Sequence, residues 1–422
     1  MELAVLGGLP VRGQPFPLWP SFDQAERDSL LEVLQSSSWG GYNKKVEEFE
    51  TSFAACQQVP HAISCTNGTV ALQAALLALD IGCGDEVIVP SFTFVATATS
   101  VLLCHGCPVF VDIDPKTLTL SPAAVERAIT PRTRGLIVVH FGGHPADMDS
   151  LVDIANRHDI ALIEDAAHAH GATWRGIPVG NFGDAGTFSF QGFKLVTSGE
   201  GGAVVTNSDD VADRVWSFCN QGRRKGSGWY EHFTLGTNLR LTGFQAAVLC
   251  EQLKKLPGQT STRAANVEYF RSRLSAVGGF TLAAPDERVG NHPHYLITLR
   301  YDPEQFGGLH RETVVEALRA EGIPVNPTYP YPLYRNPVFS SQRIPPSRCK
   351  DWRAPQQYES LYLPETERIC QEGVWLEHNL FLGTTKDVDD ILNAIEKVRK
   401  LSGSLQKIDS QTTSAAGSEG GN

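Results

Sequence analysis

The 422-residue sequence predicts an α/β fold: a large domain with a mostly parallel sheet covered by helices, then a smaller α+β C-terminal domain. Three observations predict it. Short apolar runs alternate with helix-like segments from about residue 61 to residue 163. Those runs are apolar at consecutive positions, as strands buried on both faces are. Near Lys194 this rhythm gives way to mostly helical, then mixed, segments. A chain of this length also exceeds one ordinary core, so two or three domains are expected.

Taken in order, residues 63–65 read as a strand and 70–79, rich in Ala and Leu, as a helix. Strands follow at 86–89, 108–113, 135–139 and 160–163, separated by helices at 94–103 and 148–158 and by one opening at Ser121-Pro122. Ser121 is a good N-cap, and a proline suits the first helical turn. Residues 187–190 and 203–206 form two more strands around a Gly-rich loop. Helical patterns dominate 209–274, notably 243–253 and 263–274; a strand at 295–299 and helices at 311–321 and 388–400 complete the smaller domain. The stretch 324–337 holds five prolines and three tyrosines, a pattern of irregular, functional loops. The expected divisions are an N-terminal arm 1–20, a large domain 21–257, a small domain 258–401 and a disordered tail 402–422, which has almost no apolar anchor.

Composition narrows the function classes. Acids outnumber bases 47 to 36, and the densest basic spot, Gly222-Arg223-Arg224-Lys225, falls far short of a nucleic-acid footprint. No run approaches the ~18 apolar residues of a membrane span, and the first ten residues lack the marks of a signal peptide. Nine cysteines, an odd number, leave at least one free thiol and suggest a reducing cytoplasm. Cys104 and Cys107 have a CxxC spacing, but no second pair follows, so no metal is expected.

Three stretches carry chemistry. Thr66-Asn67-Gly68-Thr69 lies between a strand and a helix; free amides, a glycine and a hydroxyl there make either a phosphate seat or a plain helix cap. Asp165 follows the apolar run 160–163, at the carboxyl end of a parallel strand, where open α/β sheets bind ligands. A carboxylate there needs a compensating cation, such as a protonated pyridine nitrogen, unless it merely caps the next helix. Lys194 lies between an aromatic strand and Ser198-Gly199-Glu200-Gly201-Gly202; a lysine amine in an apolar pocket has a lowered pKa and forms an imine with an aldehyde. Ser189 could add a hydroxyl to the phosphate, and Phe94, after another strand end, could stack on a ring or simply pack. Phosphate seat, acid and lysine in that order describe a pyridoxal-phosphate site.

These stretches, with residues 84–90, 108–114 and Gly199-Glu200-Gly201-Gly202, resemble the DegT/StrS class of sugar aminotransferases over about residues 19–400. The resemblance implies the aspartate-aminotransferase-like fold and a homodimer with shared active sites. It makes Lys194 the imine-forming lysine, Asp165 the partner of the pyridinium nitrogen and His168 a neighbour of the phenolic oxygen. Gly68, Thr69 and Ser189 would hold the phosphate, Phe94 would stack on the ring, and Asn238 would reach the phosphate of the neighbouring subunit. Leu195 stands where most of the class has Asn. Together with Ala167-His168-Ala169-His170-Gly171 and Val374-Trp375-Leu376, it points to the branch of 3-amino-5-hydroxybenzoate synthases and inosose aminotransferases. The implied reaction moves an amino group from glutamate or glutamine to a keto group of a sugar or cyclitol, in secondary-metabolite or polysaccharide biosynthesis. A synthase-type dehydratase with the same cofactor, and a cofactor-binding regulator without turnover, are the alternatives. Trp39, Gly40, Tyr329, Tyr331 and Tyr334 are candidates for the acceptor pocket, and Arg240 for the donor carboxylate.

Overall fold

The computed structural model describes residues 2–339 and 357–410. The chain opens with α1 (Gln24–Gln35) and α2 (Lys44–Gln57), then β1 (His61–Cys65), α3 (Gly68–Ala78), β2 (Glu86–Pro90), α4 (Ala96–Leu103) and β3 (Cys107–Val111). Next come α5 (Pro122–Ala128), β4 (Thr133–Val139), α6 (Met148–His158) and β5 (Ala161–Asp165). A hairpin of β6 (Thr173–Trp174) and β7 (Ile177–Pro178) precedes β8 (Ala185–Ser189), β9 (Gly202–Thr206), α7 (Asp209–Cys219) and α8 (Gly243–Val277). The remainder holds β10 (Phe280–Leu282), β11 (Val289–Asn291), β12 (Leu296–Tyr301), α9 (Arg311–Ala320), β13 (Val325–Pro327), α10 (Pro364–Glu372), β14 (Gly373–Glu377) and α11 (Thr385–Lys400).

Seven strands form the large sheet in the order β1-β9-β8-β5-β4-β2-β3. Strands β3, β2, β4, β5 and β8 run parallel, whereas β9 is antiparallel to both β1 and β8. Every residue of β2, β3, β8 and β9 is buried, which is why their sequences are mostly apolar at consecutive positions, with Glu86, Thr187, Ser189 and Thr206 at or near strand ends. Ser121 caps α5 through the Ala124 amide with Pro122 in the first turn, as its sequence predicts. The second sheet, β10-β12-β14-β13, is antiparallel and shares a core with α9, α11 and the end of α8.

The structure revises three expectations. The helices expected at 243–253 and 263–274 are one helix, α8, with Pro257 inside it and the expected 257/258 domain boundary along it. An interior proline costs about 3 kcal/mol. Burial on both sides of the proline offsets this, with Leu253 and Leu256 in the core under the large sheet and Val267, Phe270 and Leu274 in the smaller core. Part of the proline-rich stretch is strand β13, paired with β14. Residues 402–410, expected as part of a disordered tail, are packed instead: Leu405 is fully buried, and Asp409 accepts bonds from the His310 amide (2.9 Å) and the Thr313 hydroxyl (2.6 Å). Two apolar residues, Leu405 and Ile408, suffice to seat this polar stretch on the smaller core; residues 411–422 lie outside the described residues.

The N-terminal arm also rests on that core. Leu3 and Phe16 join it, and Arg12 pairs with Asp387 and Asp390, each at 2.8 Å. The buried Glu321 accepts the amides of Ala4 and Val11 and pairs with Lys397 at 2.8 Å. No helix among the described residues is long and apolar enough to cross a membrane. Cys104 and Cys107 are buried, the Cys104 thiol is pushed up to about 12 by burial, and no metal-binding group of residues occurs among the described residues.

Candidate active site

A cavity of about 730 Å³ opens where the carboxyl ends of β4, β5 and β8 meet the start of α3 and one face of the small sheet. Parallel strands bring their ends to one edge, so residues far apart in sequence converge there. Asp165 ends β5, Ser189 ends β8, and Lys194 follows on the loop after β8.

Asp165 is buried. The Thr97 hydroxyl donates to one of its carboxylate oxygens at 2.8 Å and the Ala167 amide to the other at 3.3 Å. Burial raises its pKa, and Thr97, Ala167 and Lys194 hold that rise in check. Lys194 shows the converse: burial brings its amine down to about 8, with Asp165 pulling the other way. Its Nζ lies 3.5 Å from the Tyr295 hydroxyl and 4.7 Å from the centre of that ring. His168 is held neutral by burial and by the Lys194 charge. Its Nδ1 accepts the Gly142 amide at 3.4 Å, which leaves Nε2 as the protonated nitrogen, and its ring lies 4.4 Å from that of Tyr295.

At the start of α3, Asn67 caps the helix through the Val70 amide, leaving the first-turn amides of Gly68 and Thr69 without an internal acceptor. A Cβ at Gly68 would lie 2.8 Å from the Ser189 Cβ, so only glycine lets the helix start sit against that serine. Backbone amides and a hydroxyl with room beside them suit a phosphate. The cradle, the buried Asp165 and the low-pKa Lys194 amine together fit a phosphorylated pyridine aldehyde.

Gly68, Thr69, Phe94, Asp165, His168, Ser189, Lys194 and Tyr329 all line this cavity. Other candidates lie outside it. Trp39 is half exposed, its indole bonded to the Leu34 carbonyl. Arg240 lines a separate hollow with Tyr42 and Asn220, and Gly40 lines neither. Asn238 pairs with Asn220, Tyr331 is exposed, and Tyr334 is buried with its hydroxyl on Glu367. The structure adds Thr97, Tyr295, Trp375, Glu377 and His378 to the lining. Only Trp375 had a signal in the sequence, as part of the Val374-Trp375-Leu376 signature.

The model of the DegT/DnrJ/EryC1/StrS aminotransferase family matches residues 20–396. The chain belongs to this family. Among its DegT/DnrJ/EryC1/StrS relatives, the putative L-glutamine:3-amino-2,3-dideoxy-scyllo-inosose aminotransferase of Streptoalloteichus tenebrarius is 42% identical, over 94% of this chain and 98% of that one. The L-glutamine:2-deoxy-scyllo-inosose aminotransferase of the same organism is 38% identical, over 96% and 99%. The crystal structure of 3-amino-5-hydroxybenzoic acid synthase superposes with a TM-score of 0.82 at 33% identity, over 92% and 99%. As a DegT/DnrJ/EryC1/StrS member the chain is an aminotransferase, with the fold of that synthase.

Proposed function

We propose that this enzyme moves the amino group of glutamine onto the ketone of a cyclitol, using pyridoxal phosphate carried on Lys194. The observation that carries the reading is the Lys194 amine, lowered to about 8 by burial at the floor of the cavity that it shares with the buried Asp165. Its likeness to two glutamine-dependent inosose aminotransferases supports the donor and the acceptor class. The cofactor, when bound, supplies an aldehyde for amine exchange and a ring that withdraws electrons from the substrate carbon.

The chain's own residues do the rest. Gly68, Thr69 and Ser189 would hold the phosphate. Asp165, braced by Thr97 and Ala167, would face the ring nitrogen and keep it protonated. Lys194, with a neutral amine available near pH 8, takes a proton from the substrate carbon and returns it on the reverse path. Tyr295 holds that amine in reach through its hydroxyl. His168, neutral, offers Nε2–H as a donor rather than a second positive charge.

Asn238 and Arg240 lie outside the cavity of their own protomer, while Trp229, Tyr230 and Leu235 nearby in sequence are largely exposed. A homodimer in which Asn238 completes the partner's site accounts for both. Two experiments test the reading. Purified enzyme with pyridoxal phosphate, glutamine and 2-deoxy-scyllo-inosose or its 3-amino counterpart should yield an aminated cyclitol, and no product from either ketone defeats the proposal. Mixed Lys194→Ala and Asn238→Ala proteins should recover activity that neither has alone if sites are shared; no recovery defeats the shared dimer.

A further inference from the structure

Strand β14 divides its side chains between two environments. Val374 and Leu376 are buried in the smaller core, whereas Trp375 and Glu377 point the other way, into the active-site cavity. The Glu377 side chain is half-buried there, and its carboxylate makes no hydrogen bond or ion pair with any other described residue. Burial pushes its carboxyl up, and no neighbouring donor or cation offsets that cost. A carboxylate half withdrawn from water without a partner gains when something that binds there supplies the opposite charge.

The rest of the cavity says what that charge is. The lining that the described residues of one protomer supply includes three carboxylates, Asp165, Glu200 and Glu377, against one amine, Lys194, and no arginine. Around Glu377 stand Tyr295, whose phenol its charge helps to raise, and Trp375, stacked edge-on with Tyr329 at 5.3 Å. A carboxylate among aromatic faces attracts a compact cation and repels a second carboxylate or a diphosphate.

We infer that Glu377 is a specificity-determining residue that binds an ammonium group on the acceptor, so that the preferred substrate is a keto-cyclitol already carrying one amine. This rests on the reading of the enzyme as a cyclitol aminotransferase and narrows it. The amine of the donor is consumed in the reaction, and the carboxylate of glutamine would meet repulsion at Glu377, so the acceptor is the partner. It follows that a reaction installing an amine on the ring must come before this one.

The test compares wild type, Glu377→Gln and Glu377→Asp on two ketones, neutral 2-deoxy-scyllo-inosose and 3-amino-2,3-dideoxy-scyllo-inosose. Calorimetry of the amino-cyclitol in which a hydroxyl replaces the ketone gives a readout independent of turnover. Glutamine keeps the shape and can still bond a hydroxyl, but it cannot neutralise a cation. Wild type should prefer the aminated ketone; Glu377→Gln should cut kcat/KM for it about 10- to 100-fold. The same variant should weaken the amino-cyclitol by a similar factor and affect the neutral ketone far less, while Glu377→Asp keeps part of the preference. Equal losses on both ketones, or unchanged affinity for the amino-cyclitol in Glu377→Gln, overturn the inference and leave the cyclitol reading intact. If neither ketone is aminated, that reading fails, and the calorimetry alone still decides whether Glu377 holds an ammonium.

Discussion

The two walls of the cavity are built on different plans. The large-domain wall carries Asp165, His168, Ser189 and Lys194 on strand ends and short loops of one mostly parallel sheet, and several of these are fixed by bonds from neighbours such as Thr97 and Gly142. The small-domain wall presents Tyr295, Tyr329, Trp375 and Glu377 from strands of an antiparallel sheet and the stretch after β13. It is aromatic, and its one carboxylate is unbraced. The difference teaches a division of labour: one wall holds the reacting atoms, the other chooses what is brought to them.

If that division holds, changes on the large-domain wall act on kcat and those on the small-domain wall on KM for the ketone. Lys194→Ala should have the largest effect, a loss of at least about 10³-fold in kcat, with no pyridoxyl group found on the protein by mass spectrometry after borohydride reduction. The same lysine sets a pH dependence. Burial disfavours its ammonium, so the free amine appears as pH rises through about 8 rather than near 10.5. Capture of pyridoxal phosphate by the apoprotein, followed by absorbance, should quicken about tenfold per pH unit below that point and level off above it.

Asp165→Asn should come next, at about 10²-fold in kcat with KM little changed; an equal rise in KM would break the division. Thr97→Val removes the 2.8 Å donor to Asp165. It should lower kcat by about tenfold and the thermal stability by about 1 kcal/mol, measured by calorimetry. The smallest change is Trp375→Ala, with KM for the ketone up about fivefold, kcat within about twofold, and KM for glutamine less affected. A fall in kcat as large as that of Thr97→Val would show that the aromatic wall takes part in the chemistry.

This contrast also explains what could be read in the sequence. The mostly parallel sheet, the Ser121 cap and the order of Gly68, Asp165 and Lys194 were legible, because each depends on a contiguous stretch: an apolar strand, a turn and a helix start. Thr97 was not, since a threonine inside an apolar helix has no local mark of facing an acid 68 residues away. Glu377 and Tyr295 were hidden for a related reason: each sits at the edge of a small-sheet strand, and only the packing of that sheet on the large domain turns it toward Lys194. The single helix α8 was read as two because proline usually ends a helix, and no local pattern reveals that both halves are anchored in separate cores.

That helix makes the two walls mechanically one object. At 35 residues it is roughly 50 Å of continuous rod, embedded at one end beneath the large sheet and at the other in the small domain. The gap between Lys194 and Glu377 is thus set in part by the bend and rotation of a beam whose middle, around Leu256 and Pro257, lines no part of the cavity. Laboratory evolution toward bulkier ketones should therefore collect substitutions along this beam as well as in the pocket, the way a caliper is adjusted at its spine and not at its jaws.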